Sequence, residues 1–284
     1  MDLASEIARN VTAALAEDVG SGDLTALLTS PESVASATVV SRSNTLLCGQ
    51  GWFEACYRRL DPRVVIAWHV AEGTNAAPGT VVCTLHGSVR ALLTGERTAL
   101  NFLQLLSAVA TMTRRYVDAI AGTRAAIVDT RKTLPGLRIA QKYAVKTGGG
   151  VNHRLGLYDG ILIKENHIAA AGGVGPALAA ARRIAPPGIW IQIEVENLDQ
   201  LREALDAGAR MILLDNMDPG MLRAAVATAA GRAELEASGG ITLENVRAVA
   251  ETGVDRISIG GLTKDVRAAD LSMRFENEPP RRQR

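Results

Sequence analysis

Phenylalanine, tyrosine and tryptophan are scarce in this chain: 3 Trp, 4 Tyr and 3 Phe make up 4% of 284 residues. A groove for single-stranded nucleic acid stacks bases on aromatic platforms, and this composition argues against one. Net charge is scarce as well. With 31 Lys/Arg against 30 Asp/Glu, the formal charge is +1, too little to steer the whole molecule toward a polyanion or a membrane surface. The three cysteines, Cys48, Cys56 and Cys83, are odd in number and lack a CxxC spacing. That opposes a disulfide framework, and they are read as small buried hydrophobes in a reducing compartment. No uninterrupted apolar run reaches the ~18–20 residues of a membrane span. The richest candidate, Ala99 to Val117, is broken by Asn101, Gln104, Arg114 and Arg115. The opening Met1-Asp2-Leu3-Ala4-Ser5-Glu6 lacks the basic-then-apolar order of a secretory signal. A cytoplasmic protein is expected, with no nucleic-acid and no membrane partner.

What remains is a 47% apolar, 21% charged chain, long enough for one large α/β domain or for a barrel with a smaller companion. Leu3, Ile7, Val11, Ala14 and Leu15 recur at helical spacing over residues 3–17. Strand-like runs at 34–41, 63–70 and 80–86 follow, with a helix near 51–60. A long helix is predicted from Thr94 to about Ala121, with Thr94 as its cap and Glu96 in its first turn. From residue 125 the pattern changes. Short apolar runs at 125–129, 160–164, 189–195, 211–215, 233–237 and 255–259 alternate with amphipathic stretches such as 198–207 and 242–251. Gly208 and Gly253 act as helix stops. Repeated βα units with continuous apolar strands imply a parallel sheet, either a barrel or a doubly wound sheet.

Positive charge is concentrated in one place. From Asp129 to His167 stand 7 Lys/Arg (Arg131, Lys132, Arg138, Lys142, Lys146, Arg154 and Lys164) against 3 acids (Asp129, Asp159 and Glu165). Taking these from 31 and 30 leaves 24 bases and 27 acids elsewhere. A local cationic patch with Gly148-Gly149-Gly150, and only Tyr143 and Tyr158 as aromatics, suggests a pocket for a small polyanion. Arg131, His153 and Arg154 can offer donors to carboxylate or phosphate. The Arg neighbour and the Gly-rich lead-in set His153 apart from a core histidine, whereas His69 and His86 sit in strand-like runs and read as structural.

The strand ends carry further chemistry: Asp129 with Arg131 beyond it, Lys164, Glu194 with Glu196, Asp215, Ser238-Gly239 and Gly260. In parallel α/β folds these ends converge on the ligand-binding face. Glu194 and Asp215 suit a hard divalent cation, a sugar hydroxyl or a developing positive charge. Ser238-Gly239-Gly240 and Gly260-Gly261-Leu262-Thr263 have the composition of late phosphate-cradling turns. No Walker, Rossmann, zinc or Gly-x-Ser-x-Gly pattern occurs.

Several ordered motifs resemble the quinolinate phosphoribosyltransferase family. They are Asp129-Thr130-Arg131-Lys132-Thr133-x-Pro135-Gly136-x-Arg138, Lys142-Tyr143-Ala144-Val145, Asn152-His153-Arg154-x-Gly156-Leu157 and Lys164-x-Asn166-His167. Earlier and later segments join them: Glu17-Asp18-x-Gly20-x-Gly22-Asp23-Leu24-Thr25, Gly95-Glu96-Arg97-x-Ala99-Leu100-Asn101, Glu194-Val195-Glu196, Leu214-Asp215-Asn216 and Ser238-Gly239-Gly240.

The resemblance implies an N-terminal α+β sandwich domain over 1–115 and an incomplete (β/α) barrel over 116–264. A segment at 265–284 would return to the first domain and end in a disordered Pro- and Arg-rich tail. It implies phosphoribosyl transfer from phosphoribosyl pyrophosphate to quinolinate with decarboxylation, with Mg²⁺, in a homodimer or larger homo-oligomer with shared active sites. Arg131, His153 and Arg154 would hold the two carboxylates, joined by Arg97 from the partner subunit. Lys132 and Lys164 would flank the reacting groups. Glu194 and Asp215 would face the ribose and the metal, directly or through water. Ser238, Gly239, Gly260, Gly261 and Lys264 would take the 5′-phosphate, with Lys264 standing where the family usually has His. Three rivals remain: a relative acting on another aromatic acid or serving molybdenum uptake, a non-catalytic anion binder, and a nucleic-acid binder. Net charge and aromatic content already weigh against the last.

Overall fold

A computed structural model describes residues 2–276; the tail from Pro279 to Arg284 lies outside the described residues. In chain order the elements are α1 (Leu3–Val19), β1 (Val34–Ser41), β2 (Thr45–Leu46), α2 (Gln50–Leu60), β3 (Val65–Trp68), β4 (Asn75–Ala76), β5 (Val81–Ser88) and α3 (Val89–Ala119). Then come β6 (Ala126–Val128), α4 (Arg138–Thr147), β7 (Ile161–Ile163), α5 (Glu165–Ala171), α6 (Val174–Ile184), β8 (Ile191–Val195) and α7 (Leu198–Asp206). The last are β9 (Met211–Asp215), α8 (Pro219–Ala229), β10 (Glu234–Ser238), α9 (Val246–Ala250), β11 (Arg256–Ser258), α10 (Gly261–Lys264) and β12 (Leu271–Phe275). Among the described residues, no helix is long and apolar enough to cross a membrane.

The chain divides into two compact units. Among the described residues, the first comprises 2–112, 135–148 and 266–276. Its antiparallel sheet runs β12-β1-β5-β3, so the returning strand β12 lies against β1, with Ala37 opposite Phe275. Side chains alternate along β1, and Ala37, Val39 and Ser41 are buried. The few aromatics are concentrated here: Phe53 lies 5.2 Å from Tyr57 and 5.4 Å from Trp68, centroid to centroid. Trp52 meets Tyr143 at 5.4 Å and donates its indole N–H to Asn10 Oδ1 at 3.0 Å. Burying such side chains, together with Leu85, Leu92, Leu100 and Leu103, which are buried too, contributes roughly 1.5–3 kcal/mol per side chain. Cys48, Cys56 and Cys83 are free and buried, as expected.

The long helix starts earlier than predicted, at Val89 rather than Thr94. Strand β5 runs into it without a turn, and the Val89 N–H donates to Ser33 O at 2.9 Å. Thr94 is therefore no cap; its hydroxyl donates to Asp23 Oδ2 at 2.8 Å.

The second unit, 113–134 with 149–265, is an incomplete (β/α) barrel. Six parallel strands stand in the order β6-β11-β10-β9-β8-β7. Strands β7 to β11 follow one another around the sheet, and β6 joins beyond β11, so β6 and β7 form the two edges. Helices start promptly after strand ends because capping residues are in place. Asn197 accepts from Gln200 N at the start of α7, and Asp218 accepts from Gly220 N and Met221 N at the start of α8, ahead of Pro219 in its first turn. The strands are not uniformly apolar. Gln192 and Glu194 on β8, Glu236 on β10 and Ser258 on β11 are buried polar residues in positions that a structural parallel sheet fills with Val, Ile or Leu. Burying them is costly unless they are bonded, which marks the interior of this unit as a site.

Candidate active site

The site begins at the β6 edge. Val151 N donates to Ile127 O at 2.8 Å and Asp129 N to Val151 O at 3.2 Å, which prolongs the parallel pairing beyond the strand. The buried Asp129 carboxylate then accepts the His153 N–H at 2.8 Å. Those bonds bring Asn152-His153-Arg154 beside Arg131 and Lys132. Asp159 turns the chain back by accepting from Leu155 N at 2.7 Å and Gly156 N at 2.9 Å. The Arg154 guanidinium donates to Gly160 O at 3.1 Å.

Lys132 is held from both sides. Its N–H donates to Thr130 Oγ1 at 3.0 Å, and its carbonyl accepts from Thr263 Oγ1 at 2.8 Å. The second bond joins the β6 turn to the α10 turn, so Gly260 faces Lys132: a Cβ added at Gly260 would stand 3.1 Å from Lys132 Cδ and 3.8 Å from Lys264 Cε. At the opposite edge, Lys164 N donates to His167 Nδ1 at 3.0 Å at the start of α5, while Lys164 Nζ donates to Glu194 Oε2 at 3.0 Å.

A cavity of about 340 Å³ opens between these edges, within the range of small-ligand pockets. Arg131, Lys132, His153, Arg154, Lys164, Glu194 and Ser238 line it. Its charges are divided. On one side, burial and then the nearby Arg131 depress the pKa of the Arg154 guanidinium: two cations converge and an anion would relieve them. On the other, burial raises Glu194, Lys164 draws it back, and Asp215 raises it again. Glu194 therefore feels the charge of a second acid, and a positive charge would relieve it.

The remaining expected residues lie at the margin. Asp215 closes β9 beside Asn216, whose amide donates to Asp215 Oδ2 at 2.8 Å. Asn216 has φ +53 and Gly239 φ +95; a Cβ on Gly239 would collide with Asn216 Oδ1. Only glycine permits that approach of the two turns. Lys264 is exposed and pairs with Asp265 at 3.1 Å, with Gly261 at the start of the same short helix. Arg97 is exposed on α3 in the first unit and is not among the lining residues.

His153 differs from expectation. Its side chain is 8% exposed, packed edge-on against Trp190 at 5.0 Å. The Gly-rich lead-in does not oppose burial because Trp190 covers the ring. His69 and His86 are structural: His69 bonds Thr84 at 2.7 Å and His86 bonds Ser36 at 3.1 Å. Sequence reasoning missed Gln192, Glu236 and Ser258. The usable signal was the alternation of polar residues inside Ile191-Gln192-Ile193-Glu194-Val195 and Glu234-Leu235-Glu236-Ala237-Ser238.

Comparison with known proteins identifies the family. The family described as quinolinate phosphoribosyl transferase, N-terminal domain, matches residues 23–107, and its C-terminal domain counterpart matches residues 109–274. A Bacillus subtilis protein named probable nicotinate-nucleotide pyrophosphorylase (carboxylating) is 45% identical over 257 residues, covering 90% of this chain and 89% of its own. The structure of the nicotinate-nucleotide pyrophosphorylase from Francisella tularensis superposes with a TM-score of 0.93 at 40% identity, covering 97% of this chain and 98% of that one. NadC from Streptococcus pyogenes gives a TM-score of 0.93 at 38% identity, covering 98% and 100%. With both family domains matched in order and similar proteins aligned almost end to end, the chain belongs to the quinolinate phosphoribosyltransferase family.

Proposed function

We propose that this chain transfers the phosphoribosyl group of phosphoribosyl pyrophosphate to quinolinate and releases nicotinate mononucleotide, pyrophosphate and CO₂, a step of de novo NAD biosynthesis. The observation that carries this reading is the division of charge at one cavity, with Arg131 and Arg154 in its lining on one side and, on the other, Glu194, which feels the charge of Asp215 at the margin. A planar diacid answers the first pair, since each guanidinium can grip a carboxylate in a fork. A sugar that becomes cationic as its diphosphate leaves answers the second.

In this reading the quinolinate nitrogen attacks the anomeric carbon as the C–O bond to pyrophosphate breaks. Glu194 and Asp215 stabilise the positive charge on the ribose. Lys164 opposes the rise that burial imposes on Glu194, and Lys132 and Lys164 flank the departing phosphates. The C2 carboxylate then leaves as CO₂, its electron pair remaining on the ring carbon beside the quaternised nitrogen. That carbon takes up a proton, for which Lys132 is the candidate donor. Ser238, Gly239, Gly260, Gly261 and Lys264 form the cradle for the 5′-phosphate.

The residues fit Mg²⁺ as a shared rather than a caged ion. Among the described residues no group of three or more His, Cys, Asp or Glu side chains could hold a metal, whereas Glu194 and Asp215 supply two carboxylates, acting directly or through water. Mg²⁺ commonly takes its other oxygens from substrate phosphates and water. When bound, it neutralises charge on the diphosphate leaving group. We further infer a cytoplasmic homodimer or larger homo-oligomer in which the partner subunit's Arg97 completes the carboxylate grip.

The test is direct. Purified protein with quinolinate, phosphoribosyl pyrophosphate and Mg²⁺ is expected to form nicotinate mononucleotide, pyrophosphate and CO₂ in equal amounts. Nicotinic acid, with one carboxylate, is expected to be a poor substrate. Preference for nicotinic acid, or binding without turnover, would overturn the proposal.

A further inference from the structure

In the cavity wall, where His153 and Glu236 stand, runs a chain of polar contacts that the reaction above does not use. The Arg154 backbone N–H donates to His153 Nδ1 at 2.8 Å. His153 Nε2 lies 2.9 Å from Gln192 Oε1. Gln192 Nε2 lies 3.1 Å from Glu236 Oε2. Glu236 is 1% exposed and Gln192 equally so. The Glu236 Oε1 atom is buried with no hydrogen-bond partner, and Arg256 Nε stands 3.6 Å from Oε2. An ion held this deep, with one oxygen unsatisfied, weakens a fold unless something else requires it.

These contacts have one consistent direction. A backbone N–H can only donate, so Nδ1 of His153 must be the acceptor and carry no proton. A neutral imidazole then has its proton on Nε2. That N–H needs an acceptor, so Gln192 must present its carbonyl, and its amide NH₂ is left facing Glu236. The reversed amide would put an NH₂ against the Nε2 proton and a carbonyl against a carboxylate. Glu236 is thus what holds the Gln192 amide the right way round. The direct distance from His153 Nε2 to Glu236 Oε2 is 3.7 Å, too long for a hydrogen bond, so Gln192 is a necessary link.

We propose that Glu236, acting through Gln192, is a positioning residue for substrate binding: it fixes His153 as the tautomer protonated on Nε2, so that Nδ1 anchors the Arg154 amide and keeps the Arg154 guanidinium in the cavity. The surroundings limit the alternatives. Trp190 stands edge-on to the His153 ring. The same indole lies so close to Gly160 that a Cβ there would collide with it, and Gly160 O is the acceptor of the Arg154 guanidinium. The main chain and the side chain of Arg154 are therefore fixed from one cluster of His153, Trp190 and Gly160. Metal sites use the same logic when a carboxylate orients a ligating histidine through its far nitrogen.

This inference rests on the phosphoribosyltransferase reading for its kinetic consequence, but not for its spectroscopic one. The chain holds 4 histidines, so protein labelled with ¹⁵N-histidine gives few ring signals, and His153→Asn identifies the one that matters. At neutral pH the wild-type His153 signal is expected to show a protonated Nε2 and a bare Nδ1. Glu236→Gln and Gln192→Met, both close to the native volume, are expected to shift that signal toward a tautomer mixture. They should raise KM for quinolinate about tenfold while leaving KM for phosphoribosyl pyrophosphate within about twofold. A proton on Nδ1 in the wild-type protein would refute the proposal whether or not the variants fold. So would an unchanged His153 signal in both variants, or equal losses against both substrates. Absence of turnover in the wild-type protein would sink the functional reading instead, and the ring signal would still decide the tautomer.

Discussion

Lys164 Nζ and Glu194 Oε2 stand 3.0 Å apart across the mouth of the barrel cavity, yet their environments differ. The Lys164 side chain is 46% exposed and the Glu194 side chain 9%. Burial disfavours the charge on Glu194, and the more exposed Lys164 offsets part of that penalty.

Glu194→Gln tests that arrangement. Burial, together with Asp215, lifts Glu194 above the ordinary carboxylate range despite Lys164. A carboxyl that holds its proton more tightly folded than unfolded weakens the fold as pH rises through the ordinary range to the raised value. The glutamine variant escapes that loss. Its thermal midpoint should equal or exceed that of the parent at neutral pH, with the difference closing in mild acid. Its turnover should fall by about 10²–10³. A midpoint several degrees lower at neutral pH would show that the ion pair is a net stabiliser.

Arg131→Ala removes one of two converging guanidiniums. A lost hydrogen bond to a charged group costs about 1.5–3 kcal/mol, so a two-bond fork corresponds to a loss of about 100-fold or more in kcat/KM for quinolinate. Arg131→Lys should restore little, because an ammonium cannot form the fork. Near-normal kcat/KM in the alanine variant would remove Arg131 from the carboxylate grip.

Gly239→Ala probes the phosphate turn. Its positive φ alone disfavours a side chain by about 1–2 kcal/mol, and Asn216 must also move. KM for phosphoribosyl pyrophosphate should rise well above that for quinolinate, measured under saturating co-substrate. A larger effect on quinolinate would place the phosphate elsewhere.

The cysteines should be inert in the native protein. Burial pushes the Cys56 and Cys83 thiols up to about 12, and Cys48 is raised as well, which leaves almost no thiolate at neutral pH. Iodoacetamide should leave activity and native mass unchanged, and modify all three after denaturation. Inactivation under native conditions would place a reactive thiol near the site.

Much of this was legible in the sequence because parallel strands announce themselves as short apolar runs. Met211–Asp215 is the run predicted, and Glu234–Ser238 is displaced by one residue. The strand-end rule found Lys164, Glu194, Asp215 and Ser238 for the same reason. The start of α3 was hidden because Val89 follows β5 directly and no turn residue marks the join. The return of the chain after residue 265 was implied by the family resemblance alone, and the residue pattern did not mark β12 as a strand: Leu271-Ser272-Met273-Arg274-Phe275 is stabilised by pairing with β1, more than two hundred residues away. Gln192 and Glu236 escaped notice because neither stands at the end of its strand, where the chemistry was sought. Their meaning lies in being bonded to one another across β8 and β10.

That inward-facing polar set has a consequence for how the second unit assembles. Gln192 and Glu194 occupy alternate positions of β8, between Ile191, Ile193 and Val195. A slide of one residue would turn an acid and an amide to the opposite face of the sheet and put three aliphatic side chains in the polar interior of the barrel. Neighbouring strands locked in the wrong phase would thus be rejected early. The groups poised for chemistry serve equally as the notches that align the staves.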